Sequence, residues 1–467
     1  RDYAYAASFY AFAIWIGVGT LAILKTLSDY LKPLLGLTIG GLFTLSVPLL
    51  LFSQNYDDHD RSGRYDAVNQ AKSYLDACPK NAILFTAGDN DTFPLWYVQE
   101  VEGYRTDVRV CNLSLFNSDW YIRQMTKKQY QSEPLPVKLP LAMYNDGNLD
   151  MIYLMDSGDS TSVIDLQALY AHLSKSPESF KTSTEQGLLD VFPGNTFWLR
   201  TDPKQNYPKE ILPSDTSIVS PNGVIFRIEG GGIGKSDLAL LDILAHNNWE
   251  RPICFTNNNA SPVSIALSPY LRNDGLIYTL SPLPGKSLVE GNQINTKRLT
   301  ELIKGNHIPN MSNPDLYYNE DYRRNASSLR IIHSQLAFEL AAEGKNKEAG
   351  EIIQLALERY PRSTIPSDLS LLYLIESGMA AKQFDLINPL LTDVANDYAD
   401  KAEWYANQPE KVLKKQESNF RQAIAVLHHL SDLAYNYDQI EIGGKIKTMS
   451  EDIYSDYLKK IGVAKSK

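Results

Sequence analysis

Cysteine is nearly absent from this sequence. Only Cys78, Cys111 and Cys254 occur, far apart and with no Cys-x-x-Cys pair, which excludes a zinc ribbon and a disulfide-dense scaffold. Each is flanked by apolar or turn residues and reads as an ordinary buried thiol. Positive charge is also short: 45 Lys+Arg against 55 Asp+Glu give a formal charge of -10. A general electrostatic grip on nucleic acid needs clustered cations, so nucleic acid is not an expected partner. His172, His246, His307, His333, His428 and His429 lack metal-ligand spacing, and no Ser-His-Asp order can be defended. A phosphate-binding glycine loop is missing as well. The run Gly230-Gly231-Gly232-Ile233-Gly234-Lys235-Ser236 ends suitably, but five residues before Gly234 stands Glu229, so the spacing fails and an acid would repel the phosphate. The run reads as a mobile loop that offers an anion only the start of a following helix.

Charge itself is missing from two stretches. Residues 3–24, YAYAASFYAFAIWIGVGTLAIL, and 33–54, PLLGLTIGGLFTLSVPLLLFSQ, are each long enough as helices to cross a hydrocarbon core of roughly 30 Å. They predict two transmembrane helices over residues 1–54, joined by KTLSDYLK into a hairpin, with Gly36, Gly40 and Gly41 supplying small faces for close approach. The lipid bilayer is therefore an expected partner. A cleaved signal peptide is excluded by the lack of a basic start and a small-residue cleavage site. The abrupt opening at Arg1-Asp2 suggests a piece of something longer. Lys25 and Lys32 favour a cytoplasmic hairpin loop, partly cancelled by Arg1, Arg61 and Arg64, and this places the rest of the chain outside the cytoplasm.

At 467 residues the chain calls for two or three units. Beyond the membrane hairpin, residues 55–320 read as an α/β domain. Val68, Ala71, Tyr74, Leu75 and Cys78 recur at helical spacing, NAILFT (81–86) and the run TDVRVCNLSL read as strands, and GDNDTFPLWYVQEVEG reads as a turn into a helix between them. This β-α-β pattern, continued by NSDWYIRQM, predicts a Rossmann-like, parallel sheet with ligand-binding loops at the carboxyl ends of its strands. Residues 131–235 are rich in Pro, Asp, Ser and Gly around short runs such as NTFWLR and GVIFRIE, which predicts insertions and irregular strands. An amphipathic helix SDLALLDILAHNNW, capped by Ser236 or Asp237, and the strands RPICFT and GLIYTLSP predict a further unit of the same sheet. Residues 321–467 read as a helical, tetratricopeptide-like repeat domain of three helix hairpins, with Gly344 and Gly378 near the first two turns. Such a tail offers a concave surface to a protein partner or caps the sheet.

The densest polar cluster after a strand is Gly88-Asp89-Asn90-Asp91-Thr92, with Trp96 and Tyr97 close behind. Asp89, Asn90, Asp91, Thr92 and Trp96 are candidate ligand-binding residues: oxygen ligands suit a divalent cation or sugar hydroxyls, and the indole offers a stacking face. The plainer account is that Asn90, Asp91 or Thr92 caps the helix, with Pro94 in its first turn. Asp58, His59 and Asp60 follow the second apolar run, as a candidate metal site at the membrane or a solvated junction without metal-site spacing.

The segments NYDDHDRSGRY, AILFTAGDNDTFPLWYVQEVEGYRTDVRVCNLSL and LALLDILAHNNWERPICF resemble, in order, the carboxyl-terminal half of the bacterial family 117 glycosyltransferases, also called protein O-mannosyltransferase-like membrane proteins. The resemblance covers most of residues 1–300. It implies a parent about twice this length with a type-C glycosyltransferase membrane domain, a polyprenyl-phosphate sugar as donor, and a protein or glycan acceptor. It also implies a bacterial inner-membrane location with the soluble body in the periplasm. The catalytic acid of such enzymes lies in a loop that would precede Arg1, so what carries over here is the Asp89-Asn90-Asp91-Thr92 motif. Two other readings compete: a membrane-anchored scaffold recruiting partners through its helical tail, and a metal-dependent hydrolase in which Asp58-His59-Asp60 and the Asp89-Asp91 motif converge.

Overall fold

The computed structural model describes residues 2–155, 163–184, 187–202, 205, 207–212, 223–256, 265–282 and 294–460. The chain divides into two compact units, residues 1–64 with 315–317, and residues 65–314 with 318–467.

The first unit is a pair of helices, α1 (Ala6–Tyr30) and α2 (Pro33–His59). Both are long and apolar enough to cross a membrane, with mean hydropathy of 1.9 and 2.0. Their large side chains lie open, Trp15 at 72 % and Leu34 at 79 %, an exposed apolar surface that suggests membrane association. Pro33 starts α2, where a missing N–H costs nothing. The two helices meet at small residues. A β-carbon at Gly36 would lie 2.5 Å from the Leu27 carbonyl oxygen, and one at Gly40 would lie 2.8 Å from the Leu24 side chain. Gly41, in contrast to the sequence expectation, meets nothing: the contact repeats every four residues, and Gly41 lies one step off that face. Gly36→Leu is expected to push the helices apart. The check is disulfide formation between Leu24→Cys and Gly40→Cys, which should fall several-fold in that background.

The second unit begins with α3 (Asp66–Ala77), β1 (Ile83–Thr86), α4 (Asp89–Glu100), β2 (Arg109–Asn112) and α5 (Asp119–Met125). Then come β3 (Met151–Leu154), β4 (Ile164–Asp165), α6 (Leu166–Lys175), β5 (Lys181–Thr184), β6 (Gly187–Phe192), β7 (Thr196–Leu199), β8 (Val224–Arg227) and β9 (Gly232–Gly234). The α/β part closes with α7 (Lys235–His246), β10 (Ile253–Phe255), β11 (Leu271–Asn273), β12 (Tyr278–Leu280) and α8 (Thr296–Ile303). The main sheet has the order β11-β12-β10-β1-β2. β1 runs parallel to β2 and to β10, while β12 and β11 form an antiparallel flank. Every residue of β1, β2 and β10 is buried, which is why β1 and β10 read as apolar runs, while β2 buries Arg109 and Asn112 beside Val110 and Cys111. The parallel part is thus three strands wide. The insertion builds two smaller mixed sheets, β5-β6-β3-β9 and β4-β7-β8.

Those extra sheets correct two local expectations. The helix α7 is not amphipathic: ten of its residues are buried, from Lys235 through Ala245, because α6 and β9 pack against it as well. It starts at Lys235, and Asp237 stands inside it, its carboxylate accepting from the Gly234 N–H at 3.3 Å. The glycine run before it is not a free loop either. Gly232–Gly234 pairs antiparallel with β3, and Lys235 is held by Asp146 at 3.0 Å and Asp150 at 2.7 Å. Ser236 donates to the Leu113 carbonyl, and its N–H is taken by Asn117, so an anion would find these donors already engaged.

The remainder is helical: α9 (Glu320–Ala342), α10 (Asn346–Arg359), α11 (Ser370–Ala380), α12 (Phe384–Ala406), α13 (Glu410–Asn436) and α14 (Ile440–Lys460). They pack as three hairpins around one apolar cluster. Gly344 sits in the first turn at φ +79°. Gly378 lies near the second turn, at the end of α11, where a β-carbon would come 2.2 Å from Ile387, and Lys382 takes the positive φ of that turn at +57°. This helical part and the α/β part form one compact unit. Arg298 of α8 donates to the Asp76 and Ala77 carbonyls at the end of α3. His307 lies 2.6 Å from Asp76, whose other carboxylate oxygen accepts from Tyr104.

Candidate functional site

In an open sheet the crevice for a ligand opens where neighbouring strands leave a common strand in opposite directions. Here that strand is β1, with β2 on one side and β10 on the other. The chain leaves β1 through Thr86, Ala87 and an extended Gly88 (φ −171°, ψ 179°) directly into α4. Thr92 pins this connection. Fully buried, it lies 2.6 Å from the Thr86 hydroxyl, donates to the Gly88 carbonyl, and accepts from Asn112 Nδ2 at 2.8 Å. It therefore shapes the loop and has no face toward a ligand.

The expected cap does not form: Gly88 occupies the cap position, and Asp89, Asn90, Asp91 and Thr92 are all within the helix, with no side-chain capping bond. Pro94 is accordingly inside the helix, beyond its first turn. Asp89 and Asn90 are exposed. Two positions apart on a helix, Asp89 and Asp91 diverge, so they do not chelate one ion together. Among the described residues, no group of three or more His, Cys, Asp or Glu side chains comes together to hold a metal. The Asp58 and His59 side chains lie outside the described residues, and Asp60 accepts both the N–H and the hydroxyl of Ser62, which lowers its pKa.

Asp91 is the member of the motif that faces the crevice. Its carboxylate accepts from Thr256, the residue that follows β10, at 3.2 Å. It opens on a cavity of about 410 Å³ that α3 lines with Gln70 and Tyr74, and α9 lines with Asn325 and Gln335. Burial raises the Asp91 pKa, and the Thr256 hydrogen bond opposes the rise. Tyr74 is pushed up to about 12 by burial first and by the Asp91 charge second. Its oxygen accepts from Gln70 Nε2 at 2.8 Å, and Gln70 in turn accepts from Asn325. The cavity thus presents a carboxylate that accepts hydroxyl protons and a phenol that stays protonated at neutral pH, a donor and acceptor pair suited to a polyhydroxylated ligand.

Trp96 does not join this group. It stacks on Phe93 at 5.6 Å and lines a second cavity, along the outer strand β2. Thr256 was in principle legible, as the first residue after an apolar strand in this kind of sheet. Tyr74 and Gln70 read only as helix positions, and Asn325 carried no signal at all. The three cysteines are free and buried, as their flanks suggested.

Comparison with curated proteins and with solved structures returned no match. The α/β part does match a known family model: residues 67–298, from α3 into α8 and including Asp91 and Thr256, are similar to TMEM260-associated domain 2.

Proposed function

We infer that this chain works as the carboxyl-terminal membrane and extracytoplasmic portion of a lipid-linked-sugar glycosyltransferase, protein O-mannosyltransferase-like, whose soluble body binds acceptor or product. The observation that carries the reading is the Asp91 cavity at the β1/β10 crevice, inside the segment similar to TMEM260-associated domain 2. TMEM260 represents a family of type-C-like O-mannosyltransferases. In this scheme α1 and α2 anchor the body in a bacterial inner membrane, the body faces the periplasm, and a polyprenyl-phosphate sugar is the donor. Asp91 and Tyr74 hold hydroxyls of the acceptor or product; the cleaving and transferring chemistry belongs to the membrane domain.

Transfer of labelled mannose from a polyprenyl-phosphate donor in native membranes tests it. Asp91→Ala is expected to lower transfer by roughly tenfold or more, the worth of a hydrogen bond to a charged group, with folding unchanged. Undiminished transfer would leave Asp91 as an acidic residue favouring the start of α4. The scaffold reading would then take over. It draws on aromatic side chains that the helical part leaves exposed, Tyr373 at 50 % and Trp404 at 58 %.

A further inference from the structure

The second cavity, about 300 Å³, lies along β2, the open edge of the main sheet. In parallel pairing, alternate residues turn their main-chain groups toward the neighbour. Arg109 and Leu113 donate toward β1, to the Ala82 and Thr86 carbonyls, so Val108, Val110 and Asn112 turn theirs outward. Two of these outward positions are already occupied. Gln99 Nε2 donates to the Val108 carbonyl at 2.9 Å, and the Asn112 N–H donates to the Tyr121 oxygen at 2.9 Å. Between them, the Val110 N–H and C=O take no partner among the described residues. With both flanking positions closed, a peptide strand cannot extend the sheet here. A compact ligand that donates and accepts through adjacent groups can use the one open pair.

Arg109 supplies the second feature. Only 2 % exposed, it reaches the Gln124 carbonyl through Nη2 at 3.1 Å and the Met125 sulfur through Nε at 3.4 Å. Its Nη1 is buried with no hydrogen-bond partner, and among the described residues no carboxylate pairs with it. A buried guanidinium left so is costly unless an acceptor enters. A second cation adds to the field. Arg251 reaches Ser132 of the cavity wall at 3.4 Å, and burial together with the Arg109 charge pushes its pKa down to about 10. The cavity's own acid, Glu100, is occupied by Gln129 at 2.9 Å and by Tyr130. The remaining lining is dominated by Trp96 and Trp120, the aromatic surface that sugar rings stack on through their C–H faces.

We propose that this cavity binds a single acidic sugar ring, a pyranose bearing a carboxylate, with its face on the indoles and its carboxylate on Arg109. Hydroxyl groups on the ring meet the Val110 N–H and C=O. The volume is at the low end for a ligand pocket and suits one ring. A bare inorganic anion leaves the indoles and the Val110 pair unused, and a neutral sugar leaves the guanidinium unpaired.

The test is titration of the full chain in detergent micelles with methyl β-glucuronide, methyl β-glucoside and inorganic phosphate, read by calorimetry. The readout is binding, so its result is independent of whether the protein takes part in sugar transfer. The glucuronide is expected to bind at least about tenfold more tightly than the glucoside, a hydrogen bond to a charged group being worth that much, and phosphate is expected not to displace it. The exposed Trp120 changed to Ala should weaken glucuronide by roughly tenfold with the fold intact. Arg109→Gln should bring the two sugars level; if that variant does not fold, the sugar comparison and Trp120→Ala decide the matter. Equal binding of both sugars, displacement by phosphate at matched concentration, unchanged binding in Trp120→Ala, or no glucuronide binding would each overturn the proposal.

Discussion

Asp242→Ala is expected to destabilise the second unit by on the order of 4 kcal/mol, read as a shift in the urea midpoint of the full chain. Asp242 sits in α7 with no exposed surface. One carboxylate oxygen accepts the Lys138 and Leu139 N–H groups and the Tyr144 hydroxyl, each at 2.9 Å. The other lies 2.7 Å from His246 Nδ1 one turn later. The Ala variant leaves two main-chain donors and a phenol buried with no acceptor, and each costs about 1 to 3 kcal/mol. Asp242→Asn gives a sharper comparison. Its amide oxygen keeps the three donors, so the stability loss should be smaller, but its NH2 faces His246 without a charge. The His246 pKa is raised above 6.5 chiefly by the Asp242 hydrogen bond. For a raised histidine the pair adds stability that is complete below the unfolded value and fades as pH rises through the folded one. In the Asn variant, NMR titration of His246 should show its pKa fall, and the stability gained below about pH 6.5 should vanish. An unshifted His246 in Asp242→Asn would reject the pairing.

The helical part is expected to be acid-labile through His333. This imidazole is fully buried in α9, gives Nδ1 to the Leu329 carbonyl at 2.7 Å, and leaves Nε2 without a partner among the described residues. Burial, helped by the Arg359 charge, lowers its pKa from 6.5 to about 4. A depressed pKa means that the unfolded chain takes the proton first. The stability is therefore whole above about pH 6.5 and is lost as pH falls toward 4, by roughly 3 kcal/mol at about 1.4 kcal/mol per pKa unit. His333→Leu has no such proton to take. Its stability relative to the parent should rise by that amount between pH 7 and 4, while carboxylates elsewhere titrate alike in both proteins and cancel. A constant difference across that range would place His333 in contact with water.

How much of this was legible differs from element to element. Residues 3–24 and 33–54 announced α1 and α2 by the absence of charge alone, and the run NAILFT announced β1 because a strand buried on both faces has no polar alternation. The helix of SDLALLDILAHNNW was legible but its surroundings were not. It read as amphipathic and capped by Ser236 or Asp237, whereas Lys235, Ser236 and Asp242 are buried within it, with α6 and β9 packed against the helix and Asp146 and Asp150 on Lys235. Gly378 stands near the turn as expected, but sequence shows a small residue without showing whether backbone freedom or a close neighbour, here Ile387, requires it. Asp91 and Trp96 look like partners five residues apart, yet α4 sends them to different cavities.

Local chemistry is what this sequence determined by itself: two apolar helices, a buried β-α-β unit with an acidic helix start, and helix hairpins at its end. Each depends on residues within a turn or a strand of one another, where hydrophobic period and backbone preference act directly. The sites belong to the tertiary structure. Asp91 meets Thr256 across 165 positions of chain, and Gln70 meets Asn325 across 255, because the order β10-β1-β2 and the packing of α9 beside α3 bring them together. Arg109 Nη1, without a hydrogen-bond partner among the described residues, stands on the edge strand β2, a place fixed by which strands pair rather than by any residue near it.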